Sequence, residues 1–198
     1  DVTTFWRDHF GARRAVVSII GDVTRAEAEL IAARLTDALP DAPWVVLFHG
    51  LEGSSASPYA RMLMHRVAAR GWRGTVVHFR GCSGEPNRLP RAYHSGDWQE
   101  VDWILRSLKP LARGAPVYAA GVSLGGNALL KWLGERGEEA TAILSRAAAV
   151  SAPLDLMAAG AALERGFSIV YAKHFLATMK ARAASKHARF PESFDLGR

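Results

Sequence analysis

Short apolar, largely β-branched runs recur along this chain at 16–20, 44–48, 75–79, 117–120 and 147–150. Each is bounded by Gly, Pro or polar residues, which predicts buried strands. Between them the spacing turns helical. A helix is predicted over 25–39, capped by Thr24 and stopped by Pro40, and another over 58–70, with Ser57 as N-cap, Pro58 at the first position and Gly71 at its end. Over 96–108, Trp98, Val101, Ile104, Leu105 and Leu108 share one face, and Pro110 ends the run. Alternation of this kind implies βαβ units, so the fold class is α/β: a mostly parallel sheet with helices on both faces. After Val150 the pattern becomes Ala-rich and helical over 153–189, with no further strand. A parallel sheet that stops there leaves an unpaired edge, which favours a core at 42–152 followed by a truncated helical segment at 153–198.

Composition narrows the class. A chain of 198 residues that is 49% apolar can bury a core. No apolar run approaches the roughly 20 residues of a spanning helix, and residues 1–8 lack the basic and apolar regions of a signal peptide. A cytoplasmic location is therefore expected, although a start at Asp1 is compatible with a removed leader. The net charge of +6 comes from arginines scattered among carboxylates, not from a basic stripe interleaved with aromatics. Nucleic acid is not an expected partner; peripheral contact with an anionic membrane surface is compatible with the charge. The single Cys82 cannot form an internal disulfide, and no His/Cys cluster has metal-ligand spacing, so neither a metal nor another cofactor is expected.

Candidate chemistry lies at two strand ends. Gly121-Val122-Ser123-Leu124-Gly125 follows the strand at 117–120 and opens a helical run at 126–133, the context in which G-x-S-x-G marks a nucleophilic serine. Gly121 and Gly125 keep side chains out of a tight turn, and the Leu124 amide faces the place where an oxyanion would develop. His49-Gly50-Leu51-Glu52-Gly53 follows the strand at 44–48, where a hydrolase of this kind keeps its second oxyanion donor; the Leu51 amide is assigned that role. Gly50 lets the chain pass close to a bound ester, and His49 is read as holding the loop rather than moving a proton. The simpler alternatives are a glycine-rich helix start and an ordinary strand-end turn.

Five longer stretches carry a resemblance: HGLEGSS at 49–55, VVHFRGCSGEPNRLPRAYHSGD at 76–97, GVSLGGNALLKWLGE at 121–135, SAPLDL at 151–156 and RGFSIVYAKHFLATMK at 165–180. Together they resemble the YheT-like subfamily of α/β-hydrolases, bacterial carboxylesterases related to eukaryotic ABHD proteins that act on lipid esters. The resemblance implies serine-dependent hydrolysis of a small-molecule carboxylic ester, with Ser123 as nucleophile. It also implies a triad Asp and His beyond residue 198, so that this stretch by itself would be an inactive fragment.

Three residues within the chain are weighed as triad partners. Asp155 sits where some α/β-hydrolases place an acid, but as a helix N-terminal Asp it reads better as structural. His94 lies in a loop and His174 in the helical segment, and either would have to reach hydrogen-bond range of the serine. Residues 1–40 instead resemble a segment of the M16 (pitrilysin-like) zinc peptidases without the H-x-x-E-H metal site, so peptidase chemistry does not transfer. The rival functions are a non-catalytic acyl-binding fragment and a peptidase-like accessory protein.

Overall fold

The computed structural model describes residues 42–193, Thr24, and the strand at 16–20; for that strand, Tyr171, His174 and Ser193 it describes the backbone alone. The helix expected over 25–39 lies outside the described residues. Five strands, β1 (Val16–Ile20), β2 (Trp44–Phe48), β3 (Arg73–His78), β4 (Val117–Val122) and β5 (Arg146–Val150), form one sheet in the order β1-β3-β2-β4-β5. Every neighbouring pair is parallel. The helices are α1 (Pro58–Ala69), α2 (Trp98–Leu108), α3 (Leu124–Arg136), α4 (Leu156–Leu163) and α5 (Ser168–Arg189).

β2 is central and buried along its whole length, which explains its unbroken apolar sequence. Its alternate residues serve two cores. Trp44, Val46 and Phe48 pack with Val101, Leu105, Leu129 and Trp132 beneath α2 and α3. Val45 and Leu47 meet Ala60, Met64 and Val67 of α1 on the opposite face. α2 and α3 are tied to one another by Asp102. Its carboxylate accepts from Trp132 Nε1 at 2.9 Å, Arg136 Nε at 2.8 Å and Nη2 at 2.7 Å, and Arg106 Nε at 3.0 Å. Burial alone would raise the Asp102 pKa, but these bonds hold it below the usual aspartate value.

Several boundaries differ from those expected. β3 begins at Arg73, two residues early, because the arginine is buried with its charge satisfied: it donates to the carbonyls of Ala42, Leu111 and Ala112 and lies 4.6 Å over the Trp44 ring. α2 starts at Trp98, since the Asp97 carboxylate is taken by Arg91 Nη2 at 2.6 Å instead of capping the helix. The helical stretch after Pro153 is two helices, interrupted where Gly166 takes φ +57°.

The five residues of β5 are all exposed, and α4 buries none of its own. β5 is thus an open edge among the described strands. Chain direction then places the site. From β2 the chain moves to β3 on one side and returns to β4 on the other, so a crevice opens at the carboxyl ends of β2 and β4, where ligands bind in sheets of this type.

Candidate active site

Ser123 stands at that crevice. It occupies the single turn between β4 and α3 with φ +52° and ψ −119°, a conformation a non-glycine residue keeps only when its surroundings enforce it. The enforcement is visible. Ser123 N donates to Val150 O at 2.8 Å, its carbonyl accepts from Asn127 N at 3.0 Å, and Asn127 Nδ2 donates to Pro153 O at 2.7 Å. A Cβ on Gly121 would lie 2.5 Å from Gly125 O, and one on Gly125 would fall on the carbonyls of Phe48 and His49. The motif glycines are therefore what lets α3 start directly against β2.

The loop after β2 reaches the same point. A Cβ at Gly50 would stand 3.3 Å from Ser123 Cβ, Gly50 N donates to Tyr59 Oη at 2.8 Å, and Gly53 N closes a turn onto Gly50 O at 2.9 Å. Leu51 and Leu124 line one cavity of about 470 Å³. Neither amide donates to an acceptor among the described residues.

His49 is fully buried beneath this loop. Its Nδ1 lies 2.8 Å from Gly50 O, and its Nε2 lies 3.2 Å from the Phe79 amide, which must donate. Both contacts are satisfied together by the neutral ring protonated on Nδ1. Burial drives its pKa down to about 4. His78, also lowered by burial, accepts from Ser55 N at 2.8 Å. Both imidazoles brace the loop.

Sequence reasoning gave no role to Glu52, and the structure does. Glu52 follows Leu51 at φ +57°, a turn position that favours glycine. Its Oε1 accepts from Tyr93 Oη at 2.8 Å, Tyr93 Oη accepts from Glu52 N at 3.0 Å, and Arg182 Nε pairs with Oε2 at 3.0 Å. Arg182 Nη1 also donates to the buried Cys82 thiol at 3.0 Å, whose pKa burial pushes up. The signal that could have revealed this cluster is Glu in a strand-end turn otherwise rich in glycine.

The residues weighed as triad partners have other contacts where they are described. Asp155 is exposed and caps α4, accepting from Ala158 N at 2.8 Å. His94 lines the cavity with Leu51 and Leu124, is mostly exposed, and accepts from Gly96 N at 3.1 Å. The side chain of His174 lies outside the described residues. Among the described residues no histidine or carboxylate hydrogen-bonds to the Ser123 hydroxyl. Nor, among them, is there a group of three His, Cys, Asp or Glu side chains able to hold a metal ion, or a helix long and apolar enough to cross a membrane.

Comparison with known proteins places this geometry. Residues 43–196 match the alpha/beta hydrolase fold family. The match leaves the segment at 1–40 outside, and the resemblance of that segment to M16 peptidases finds no support. The chain is 48% identical over 149 residues to YheT of Escherichia coli K12, which is named as an esterase, covering 75% of this chain and 43% of that one. It is 32% identical over 155 residues to phospholipase ABHD3 of Mus musculus, covering 78% and 37%. With the medium-chain fatty acid ethyl ester synthase/esterase 2 of Saccharomyces cerevisiae it shares 35% identity over 121 residues, covering 59% and 26%. The chain thus spans less than half the length of these relatives. No solved structure matches it.

Proposed function

The chain belongs to the alpha/beta hydrolase fold family, and from that premise we propose that it carries the nucleophile half of a carboxylic-ester hydrolase in which Ser123 attacks the ester carbonyl. The observation that carries this reading is the enforced backbone of Ser123, φ +52° at a strand-to-helix turn beside the Gly50 loop. An ester carbonyl seated in the cavity meets the Leu51 and Leu124 amides, and its oxygen takes their hydrogen bonds as it becomes an oxyanion. The Ser123 hydroxyl oxygen bonds to the carbonyl carbon as its proton passes to a base. The alkoxide leaves with that proton, and water then cleaves the acyl-serine to release the acid and restore the serine.

The base comes from outside the described contacts of Ser123, in the part of the relatives that this chain does not span. The 198-residue chain is accordingly expected to hydrolyse a p-nitrophenyl ester about 10³–10⁶-fold more slowly than a version continued with the following residues of a relative. Ser123→Ala should abolish turnover by the continued version. Equal turnover with and without Ser123 would refute the reading. The missing base contact also supports a second reading, acyl-ligand binding without turnover. Failure of a fluorophosphonate to label Ser123 in the continued version would favour it.

A further inference from the structure

α4 has the sequence of a core helix and the position of a surface one. Its residues, LMAAGAAL, include no polar side chain, yet none of them is buried. A helix that is apolar all round belongs in a protein core or in hydrocarbon. Met157 within it is 85% exposed, Leu154 before it 81%, and Phe167, in the turn that leads to α5, 93%. Val170, in the first turn of α5, is also mostly exposed. α4 and α5 pack against each other, so these residues belong to one helical hairpin. A concentration of exposed apolar residues of this size marks an interaction surface.

What accompanies the apolar surface is basic. α5 contains no Asp or Glu. Along it Ile169, Lys173, Leu176 and Lys180 follow one another at four-, three- and four-residue spacing, an exposed stripe in which apolar and cationic side chains alternate. Among the described residues neither lysine has an acidic partner, and nor does the exposed Arg165 in the turn. The centre of a protein–protein interface is poor in lysine. An anionic lipid surface suits this pattern better, because apolar side chains and lysine stems enter the acyl boundary while the ammonium groups meet the headgroups. We infer that α4, the turn at 164–167 and the outer stripe of α5 dock on a bilayer bearing anionic lipid. Met157 and Phe167 enter it, and Arg165, Lys173 and Lys180 hold its headgroups. The inference goes beyond the ester-hydrolase reading and does not need it.

Flotation of the 198-residue chain with vesicles tests it, using phosphatidylcholine alone or with about 30% phosphatidylserine; binding to the anionic vesicles should be about tenfold tighter. Raising NaCl from about 0.05 to 0.5 M should erase most of that difference. Lys173→Gln with Lys180→Gln should lose about tenfold on the anionic vesicles alone, while Lys173→Arg with Lys180→Arg keeps the preference. Met157→Ser with Phe167→Ser should abolish binding to both compositions. Equal binding to the two compositions, or none to either, overturns the inference, and that comparison on the unsubstituted chain stands even if a variant fails to fold. So does a chain that dimerises through Phe167 and ignores vesicles, which would assign the face to a second copy. The version continued with the following residues of a relative should bind as this chain does; loss of binding there would mean that protein covers the face, and overturns the inference. Ser123→Ala should bind vesicles unchanged, so docking and hydrolysis stand or fall separately.

Discussion

Arg182 Nε lies 3.0 Å from Oε2 of Glu52, joining α5 to the turn that presents the Leu51 amide. Glu52 is nearly buried there, its side chain 7% exposed against 41% for Arg182, in a backbone conformation that favours glycine. The pair and the Tyr93 hydroxyl together hold that turn closed. Arg182→Met leaves the carboxylate with Tyr93 alone and should lower stability by about 1–3 kcal/mol, less than for a fully buried pair because the arginine is partly solvated. A double-mutant cycle with Glu52→Gln, read by urea denaturation, should show positive coupling. Strict additivity would mean that the contact does not hold the turn.

The glycines of α3 should respond in opposite directions. Gly125→Ala puts a methyl group onto the Phe48 and His49 carbonyls, backbone that cannot yield, and should cost about 3 kcal/mol or more. Gly134→Ala, in the same helix with nothing within 4 Å of the added carbon, should stabilise by about 0.5–1 kcal/mol. Thermal melts of the two variants decide it. A tolerated Gly125→Ala would mean that β2 and α3 do not meet as described.

Acid should weaken the fold through His49. Its folded pKa of about 4 lies below the ordinary 6.5, so the unfolded chain binds the extra proton first. The contribution is complete above about pH 6.5 and is lost as pH falls toward 4, roughly 3 kcal/mol in all. Glu100 opposes it between 4.5 and 6.5, because burial pushes that carboxyl up to about 7 and its contribution is lost as pH rises through that range. The His49 share is therefore read as the difference from His49→Gln. That difference should shrink as pH falls from 7 to 4; one that is constant with pH would show that the ring is not held neutral.

Asp102→Ala should be among the most damaging changes far from the crevice. It strands Trp132 Nε1 and removes the carboxylate shared by Arg106 and Arg136, at an expected cost of about 3 kcal/mol. Chemical denaturation measures it, and a loss below about 1 kcal/mol would mean that α2 and α3 are held by their apolar faces alone.

Much of the fold was legible because burial on both faces of a parallel strand leaves nothing but apolar residues, as in β2 and the middle of β3. Where a polar residue is buried with its own partners the signal vanishes. Arg73 hid the start of β3, and Asp97, bound to Arg91, moved the start of α2. At the site, Ser123, Gly121 and Gly125 could be read because a tight strand-to-helix turn admits few residue types. Glu52, Tyr93 and Arg182 could not, since three residues that meet across the fold leave no spacing pattern in the chain. The helical run after Pro153 concealed its break for another reason: of its two glycines, Gly160 lies within α4 and Gly166 at the break, and nothing in their spacing tells them apart.

The lock on Ser123 comes from segments distant in the chain. Its amide is held by Val150 O, and Gly125 fits because the Phe48 and His49 carbonyls leave room for no more than a hydrogen. During synthesis Ser123 is made and emerges before Val150, so the reactive geometry cannot set until β5 has emerged and docked. The pentapeptide supplies the residues of a nucleophile, but only the assembled sheet supplies its shape.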